Sequence, residues 1–281
     1  MKTSLKWDVL VSAQIRTATS DLPPGATEMK WSPISSTLIS GERDAVLVDT
    51  FITMEQNQTL VEWVAASGKN LTTIYATHGH GDHFFGVSTI KQRFPKARFV
   101  ASRGAISVMR MQLSPPVLDT FWKSRFPGQI DPILAIAEEL AGNAIELEGE
   151  ELVSISTGHT DTYNTTCLHV PSIGLVVAGD AAYNGVHVHL GESNAASREE
   201  WIAALDKIES LKPRAVIAGH KRPGLPDTPV IIEETRQYIR DFNRCASNTR
   251  TAEELYEEML AIYPDRLNPA VLWNSARAVK G

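Results

Sequence analysis

Five apolar runs in this chain end the same way. "DAVLV" leads into Asp49, "TTIYAT" into His78, "LVSIST" into Gly158 and His159, "GLVVAG" into Asp180, and "AVIAG" into His220. Each run has the length and apolar character of a buried strand. Each delivers a carboxylate or an imidazole at its carboxyl end, where open α/β sheets gather their ligands. One such ending would mean little; five restrict the fold to sheets that bring these edges to one shared place.

The rest of the chain supports such sheets. "DVLVSAQI" and "STLIS" read as strands, and "SGERD" reads as the hairpin turn before "DAVLVDT". "MEQNQTLVEWVAAS" is an amphipathic helix that Gly68 ends. The strand "LTTIYATH", a helix beginning near Asp82 and the strand "ARFVAS" follow. Residues 103–143 read as helical and irregular. Strands resume with "AIELEG", "ELVSIST", "TTCLHVP" and "GLVVAGD". The helix "SREEWIAALDKIESL", the strand "AVIAGH", a long helix from about Pro229 to Ala246 and two further amphipathic helices complete the chain. Both halves run strands-then-helix, which allows a duplicated α/β plan.

The stretch "THGHGDH" sharpens the expectation. Three histidines and an aspartate fall within six positions, in a chain with eight histidines among 281 residues. Imidazoles beside a carboxylate build a core badly, because each ring nitrogen needs a partner; they hold a metal well. His78 and His80 are two apart, so in an extended segment both rings leave on one side. Gly79 and Gly81 remove bulk and permit a bend. Asp82 and His83 fall at a helix start and diverge from that pair. Two metals divide the set: His78, His80 and His159 on the first, and Asp82, His83 and His220 on the second, with Asp180 bridging. Each ion then keeps room for a shared water, as catalytic sites do.

"THGHGDH" followed in order by "GHT", "AGD" and "AGH" resembles the metallo-β-lactamase superfamily of metal-dependent hydrolases, over roughly residues 30–225. The resemblance implies one domain over residues 1–281, a four-layer αβ/βα sandwich with two central mixed β-sheets and the metals at one edge. It also implies a helical cap at about 103–143, while the C-terminal helices at about 229–280 are read from their amphipathic pattern. The family's metal positions fall on His78, His80, Asp82, His83, His159, Asp180 and His220, and its early aspartate, which supports the ligand loop, falls on Asp49. An aspartate at 180, where the commonest zinc β-lactamases carry cysteine, is the pattern of glyoxalase-II-like thioesterases and lactonases. His80, where flavo-diiron proteins usually have glutamate, counts against an oxygen-reducing role. Tyr183 in "GDAAYN" is similar to the tyrosine that faces the substrate carbonyl in acyl-homoserine lactonases. "GHTDTYNTTCLHV" departs from the usual "GHTPG".

The expected cofactor is two Zn2+, with Fe or Mn able to replace one or both. Two cations sharing a water lower its pKa from that of bulk water to about 7. The expected reaction is attack by the resulting hydroxide on an ester, thioester, lactone or lactam carbonyl in a small molecule. Asp82 orients the nucleophile and carries a proton to the leaving group, and Tyr183 hydrogen-bonds the oxyanion. Aromatics in "VMRMQLSPPVLDTFWKSRFPG" shape an apolar pocket. His187 and His189 form a second HxH pair with no DH after it and are expected to line a pocket or face solvent. The alternatives are a mononuclear-iron sulfur dioxygenase on the same fold, a nucleic-acid-processing relative and a catalytically idle binding module.

Composition bears on the setting. A net charge of −6 without a long basic run argues against nucleic acid as a partner. The first residues lack the apolar core of a signal peptide, and no run reaches the roughly 18 apolar residues of a membrane helix. Cys167 and Cys245 make no CxxC pair and read as small buried hydrophobes. The expectation is a cytoplasmic protein without membrane partners, able to form a homo-oligomer.

Overall fold

The computed structural model describes residues 4–281, so the first three residues of the amino-terminal stretch lie outside it. Two β-sheets face each other. The first has the order β1 (Lys6–Val11), β2 (Ser35–Ser40), β3 (Asp44–Val48), β4 (Asn70–Tyr75), β5 (Arg98–Ala101) and β6 (Glu138–Glu139). The second has the order β11 (Ala215–Lys221), β10 (Leu175–Asn184), β9 (Thr165–Val170), β8 (Glu150–Gly158) and β7 (Ala144–Leu147). Both sheets are mixed: β3, β4 and β5 run parallel, as do β10 and β11, while β2 and β3 form the antiparallel hairpin expected around "SGERD".

Side-chain alternation along the strands builds three apolar layers. On β3, Val46 and Val48 point between the sheets, while Ala45 and Leu47 point outward. On β10, Leu175 and Val177 meet that inner layer, and Val176 and Ala178 point to the opposite side. The outer face of the first sheet is covered by α1 (Met54–Ala66), α2 (Val87–Arg93) and α3 (Arg103–Gln112). The outer face of the second is covered by α5 (Ala195–Ser210), α6 (Val230–Asn248), α7 (Ala252–Ile262) and α8 (Pro269–Lys280). This is the αβ/βα sandwich expected from the sequence.

Local chemistry starts these helices where the layers need them. Thr53 with Gln56, Asn194 with Ser197 and Thr251 with Glu254 close reciprocal hydrogen bonds at the starts of α1, α5 and α7. Pro269 occupies the first turn of α8, where its missing N–H costs nothing.

Two local expectations change. The helix expected from Asp82 is a single 3-10 turn over Gly81–His83, and the α-helix starts only at Val87. The strand expected to end at Asp180 continues to Asn184. Its pairing with β11 shifts between Gly179 and Tyr183, so Asp180 stands in a break of the ladder inside a strand.

Between α3 and β6, the short α4 (Pro115–Val117) passes into a π-helical turn, Leu118–Lys123. Among the described residues no helix is long and apolar enough to cross a membrane. Cys167 and Cys245 are both buried and free.

Candidate metal centre

Six of the seven side chains expected to hold metal converge on one edge of the sandwich. His78, His80, Asp82 and His83 come from the segment after β4, Asp180 from β10 and His220 from β11; all six are buried. His220 Nε2 lies 3.4 Å from Asp82 Oδ2 and 3.3 Å from Asp180 Oδ2, and His83 Nε2 lies 3.3 Å from Asp180 Oδ1. The seventh, His159, is displaced. Its Nε2 meets the backbone carbonyl of Glu192 at 3.1 Å, and its ring lies 4.6 Å from that of Tyr163. Asp161, two residues on, is fully buried beside the cluster, with Oδ2 at 2.9 Å from His80 Nδ1 and 3.5 Å from His78 Nε2.

The other nitrogen of each converging ring is engaged by an acceptor. His78 Nδ1 meets Thr77 Oγ1 at 3.0 Å, and that hydroxyl spends its own proton on Asp49 Oδ2 at 2.8 Å. His83 Nδ1 meets Asp49 Oδ2 at 3.2 Å, His220 Nδ1 meets the Pro33 carbonyl at 3.0 Å, and His80 Nε2 meets Glu192 Oε1 at 3.1 Å. An acceptor fixes the N–H on its own side of a neutral ring and leaves the other nitrogen with a free lone pair. The nitrogens that face the cluster, and whose lone pairs would hold a cation once the rings are deprotonated, are therefore His78 Nε2, His80 Nδ1, His83 Nε2 and His220 Nε2. Asp49 takes a left-handed backbone, φ 61°, which aspartate tolerates better than most residues, and its carboxylate thereby reaches both Thr77 and His83.

Several donor atoms aimed at one another have no hydrogen bond at all. His78 Nε2, His83 Nε2, Asp161 Oδ2 and Asp180 Oδ1 are buried without one. Unsatisfied buried polar atoms are costly and need an explanation. A cation supplies it: ligands about 2.0–2.1 Å from a tetrahedral zinc stand roughly 3.3 Å apart, close to the separations found here. Three donor groups are compact enough to hold an ion, namely His78–His80–Asp161, His78–His83–Asp180 and Asp82–His83–His220.

Electrostatics agree. Burial alone would push the imidazoles down, and His78 does lie below its usual value. In His80 the carboxylates of Glu192 and Asp161 outweigh burial and hold the ring well above the usual range. Asp180 and Asp82 outweigh it for His83, lifted to about 9, and for His220. Burial would raise Asp82, Asp161 and Asp180, yet the neighbouring rings hold all three below the ordinary carboxylate range. The pocket is anionic and draws protons onto its rings; bound cations would displace those protons.

A cavity of about 490 Å³ opens above the cluster. His80, Asp82, Asp180, Tyr183 and His220 border it on one side, and Trp31, Met111, Phe121, Trp122 and, from α8, Val271 on others. Tyr183 is buried, and its hydroxyl donates to Asp180 Oδ2 at 2.8 Å. Burial and the Asp180 charge hold that hydroxyl protonated far above its usual range. His187 and His189 also border the cavity. His187 is buried with Nδ1 at 2.9 Å from the Tyr238 hydroxyl, and the His189 ring lies 6.1 Å from that of His80. Neither belongs to a metal-capable group among the described residues.

Sequence reasoning missed Trp31, whose Nε1 donates to Asp82 Oδ2 at 3.0 Å while its ring packs on Phe121, Trp122 and Phe126. It also missed Asp161. The signal for Asp161 was the aspartate in "GHTDT", two residues after His159; for Trp31, which lies before β2 and far from the motif, there was none.

The sequence model of the metallo-beta-lactamase superfamily matches residues 29–220. No curated protein matches the chain. Among solved structures, a metallo-beta-lactamase family protein from Thermus thermophilus is 19% identical with a TM-score of 0.66, over 96% of this chain and 91% of that one. A beta-lactamase domain protein from Burkholderia ambifaria is 16% identical with a TM-score of 0.61, over 95% and 83%. The metallo-beta-lactamase FIM-1 from Pseudomonas aeruginosa, in a mono-zinc form, is 18% identical with a TM-score of 0.58, over 83% and 95%. At such identities the likeness is one of fold.

Proposed function

Because the chain belongs to the metallo-β-lactamase superfamily, whose members are mostly hydrolases, we propose that it is a metal-dependent hydrolase opening an ester, thioester, lactone or lactam bond in a small molecule. The observation that carries this reading is the convergence of four histidine lone pairs and three buried carboxylates on the floor of a largely apolar cavity. A pair of divalent cations held there, two zinc ions in this reading, supplies a water of lowered pKa and a Lewis acid for the substrate carbonyl.

His78, His80, Asp82, His83, Asp180 and His220 hold the ions. Asp82 has one oxygen fixed by Trp31, which aims the carboxylate; it orients the nucleophile and passes a proton to the leaving group. Tyr183 is a donor at neutral pH. Moving its hydrogen bond from Asp180 to the carbonyl oxygen would stabilise the developing charge by about 3 kcal/mol. The aromatic wall of Trp31, Phe121 and Trp122 excludes water and accepts an apolar acyl or ring substituent.

The test is a metal assay on purified protein, followed by hydrolysis of acyl-homoserine lactones, aromatic lactams, glutathione thioesters and β-lactams. Two ions per chain and turnover of at least one class, abolished by chelation and restored by zinc, are expected. A protein that takes up no metal overturns the reading. One that holds a single iron and consumes oxygen with a persulfide is a dioxygenase instead.

A further inference from the structure

We infer that Asp161, and not His159, is the third protein ligand of the ion held by His78 and His80. The inference rests on the metal reading above and departs from the ligand set that the "GHT" motif implies. Asp161 is fully buried, and its Oδ2 approaches both His80 Nδ1 and His78 Nε2 without an aligned hydrogen bond to either. Those two nitrogens are the ones left facing the cluster, because the opposite nitrogen of each ring is engaged by Thr77 or Glu192. Its other oxygen, Oδ1, accepts from Thr160 Oγ1 at 2.8 Å, which fixes the carboxylate.

His159 has the opposite surroundings. It is partly exposed, and its Nε2 is committed to the Glu192 carbonyl. The backbone explains the exchange. Gly158 has φ +73°, so the chain turns as it leaves β8 and His159 points outward. Thr160 N then bonds the Thr162 carbonyl at 3.0 Å, a tight turn that buries residues 160–162 and carries Asp161 inward. Glu192 reinforces both halves: its backbone carbonyl holds His159 away, while its side chain binds His80 Nε2 and Thr162 Oγ1.

The chemical consequence is a more symmetric, harder centre. Each ion would be held by two histidines and one aspartate, His78, His80 and Asp161 for one and His83, His220 and Asp82 for the other, with Asp180 between the two sets. The set carries one positive charge fewer than a three-histidine site would leave, and its added oxygen donor improves the competition of manganese or iron(II) against zinc.

Cobalt-loaded wild-type protein provides the primary test, by counting hyperfine-shifted, exchangeable imidazole N–H signals in its proton NMR spectrum. Four are expected, from His78, His80, His83 and His220; a fifth, lost on His159→Ala, overturns the inference. Zinc stoichiometry gives an independent reading. His159→Ala should keep two ions with affinity within about threefold of wild type, and Asp161→Asn, isosteric and checked by circular dichroism for folding, should keep one. Loss of an ion from His159→Ala, or two tightly held ions in folded Asp161→Asn, overturns the inference and leaves the metal reading standing. Failure of wild-type protein to bind cobalt or zinc overturns both.

Discussion

Residue identity matters most at Asp82, which joins three groups: the indole of Trp31, the ring of His220 and, at 3.9 Å, that of His83. Asp82→Asn keeps the shape but removes the charge and one acceptor oxygen. The expected result is a fall in kcat of about 10²- to 10⁴-fold together with weaker binding of the ion shared with His83 and His220. Steady-state kinetics and zinc titration on one preparation check this, and undiminished turnover removes Asp82 from the mechanism. The motif made this residue legible as a candidate. Its partnership with Trp31 was not, because 51 positions separate the two and only the packed aromatic cluster brings them together.

At the scale of elements, the ligand-bearing segment sits tightly against its neighbours. A Cβ on Gly79 would lie 2.5 Å from Val108 Cβ and 2.6 Å from the Ala105 carbonyl of α3. The glycine is there for this close approach, which is the removal of bulk expected from the sequence, and its φ is not in the left-handed region. Gly79→Ala should therefore destabilise the fold by about 1–3 kcal/mol, as overpacking against backbone does; thermal melting reads it, and an unchanged melting temperature contradicts this account. Gly219 on β11 serves Asp180 in the same way, since a Cβ there would meet Asp180 Oδ1 at 2.0 Å. The π-helical turn acts on the cavity. Phe121, half-buried on its wall, can be cut back with less damage to the core than Trp122, whose Nε1 is bonded to Gln112. Phe121→Ala should raise KM for apolar substrates by about tenfold, the equivalent of about 1.4 kcal/mol of lost contact, with kcat nearly constant. Equal KM values across the substrate panel would rule out a pocket role for this segment.

Over the whole molecule, the centre joins two sheets, so its ions act on folding as well as chemistry. Ions held at a thousand times their dissociation constant stabilise the native state by about 4 kcal/mol each. Chelation should therefore lower Tm by several degrees, and a calorimetric scan showing no shift would contradict a site built from both sheets. A second prediction concerns acid. Burial, with Arg266 adding to it, depresses His187 to about 3. As pH falls, the unfolded chain takes up that proton near pH 6.5 and the folded chain only near pH 3. The stability contribution is thus complete above about pH 6.5 and is lost progressively down to about 3. In metal-free protein, His187→Gln should show a shallower loss of Tm between pH 6.5 and 4.5; parallel curves would show that His187 does not titrate with folding.

Strand periodicity, the polar groups at five strand ends and the HxHxDH spacing pointed to buried strands, a shared ligand-bearing edge and six of the converging side chains, and the resemblance those motifs carry implied the sandwich. These are local properties: a period of two residues fixes a face, and a strand end fixes an edge. What tertiary structure decided lies in turns and distant packing. Gly158 turns the chain so that Asp161 enters where His159 was expected, a backbone choice that depends on the burial of residues 160–162 and on Glu192, 33 positions beyond His159. The cavity wall joins Trp31, the turn at Leu118–Lys123 and α8, elements whose apolar faces find one another only when the whole chain closes.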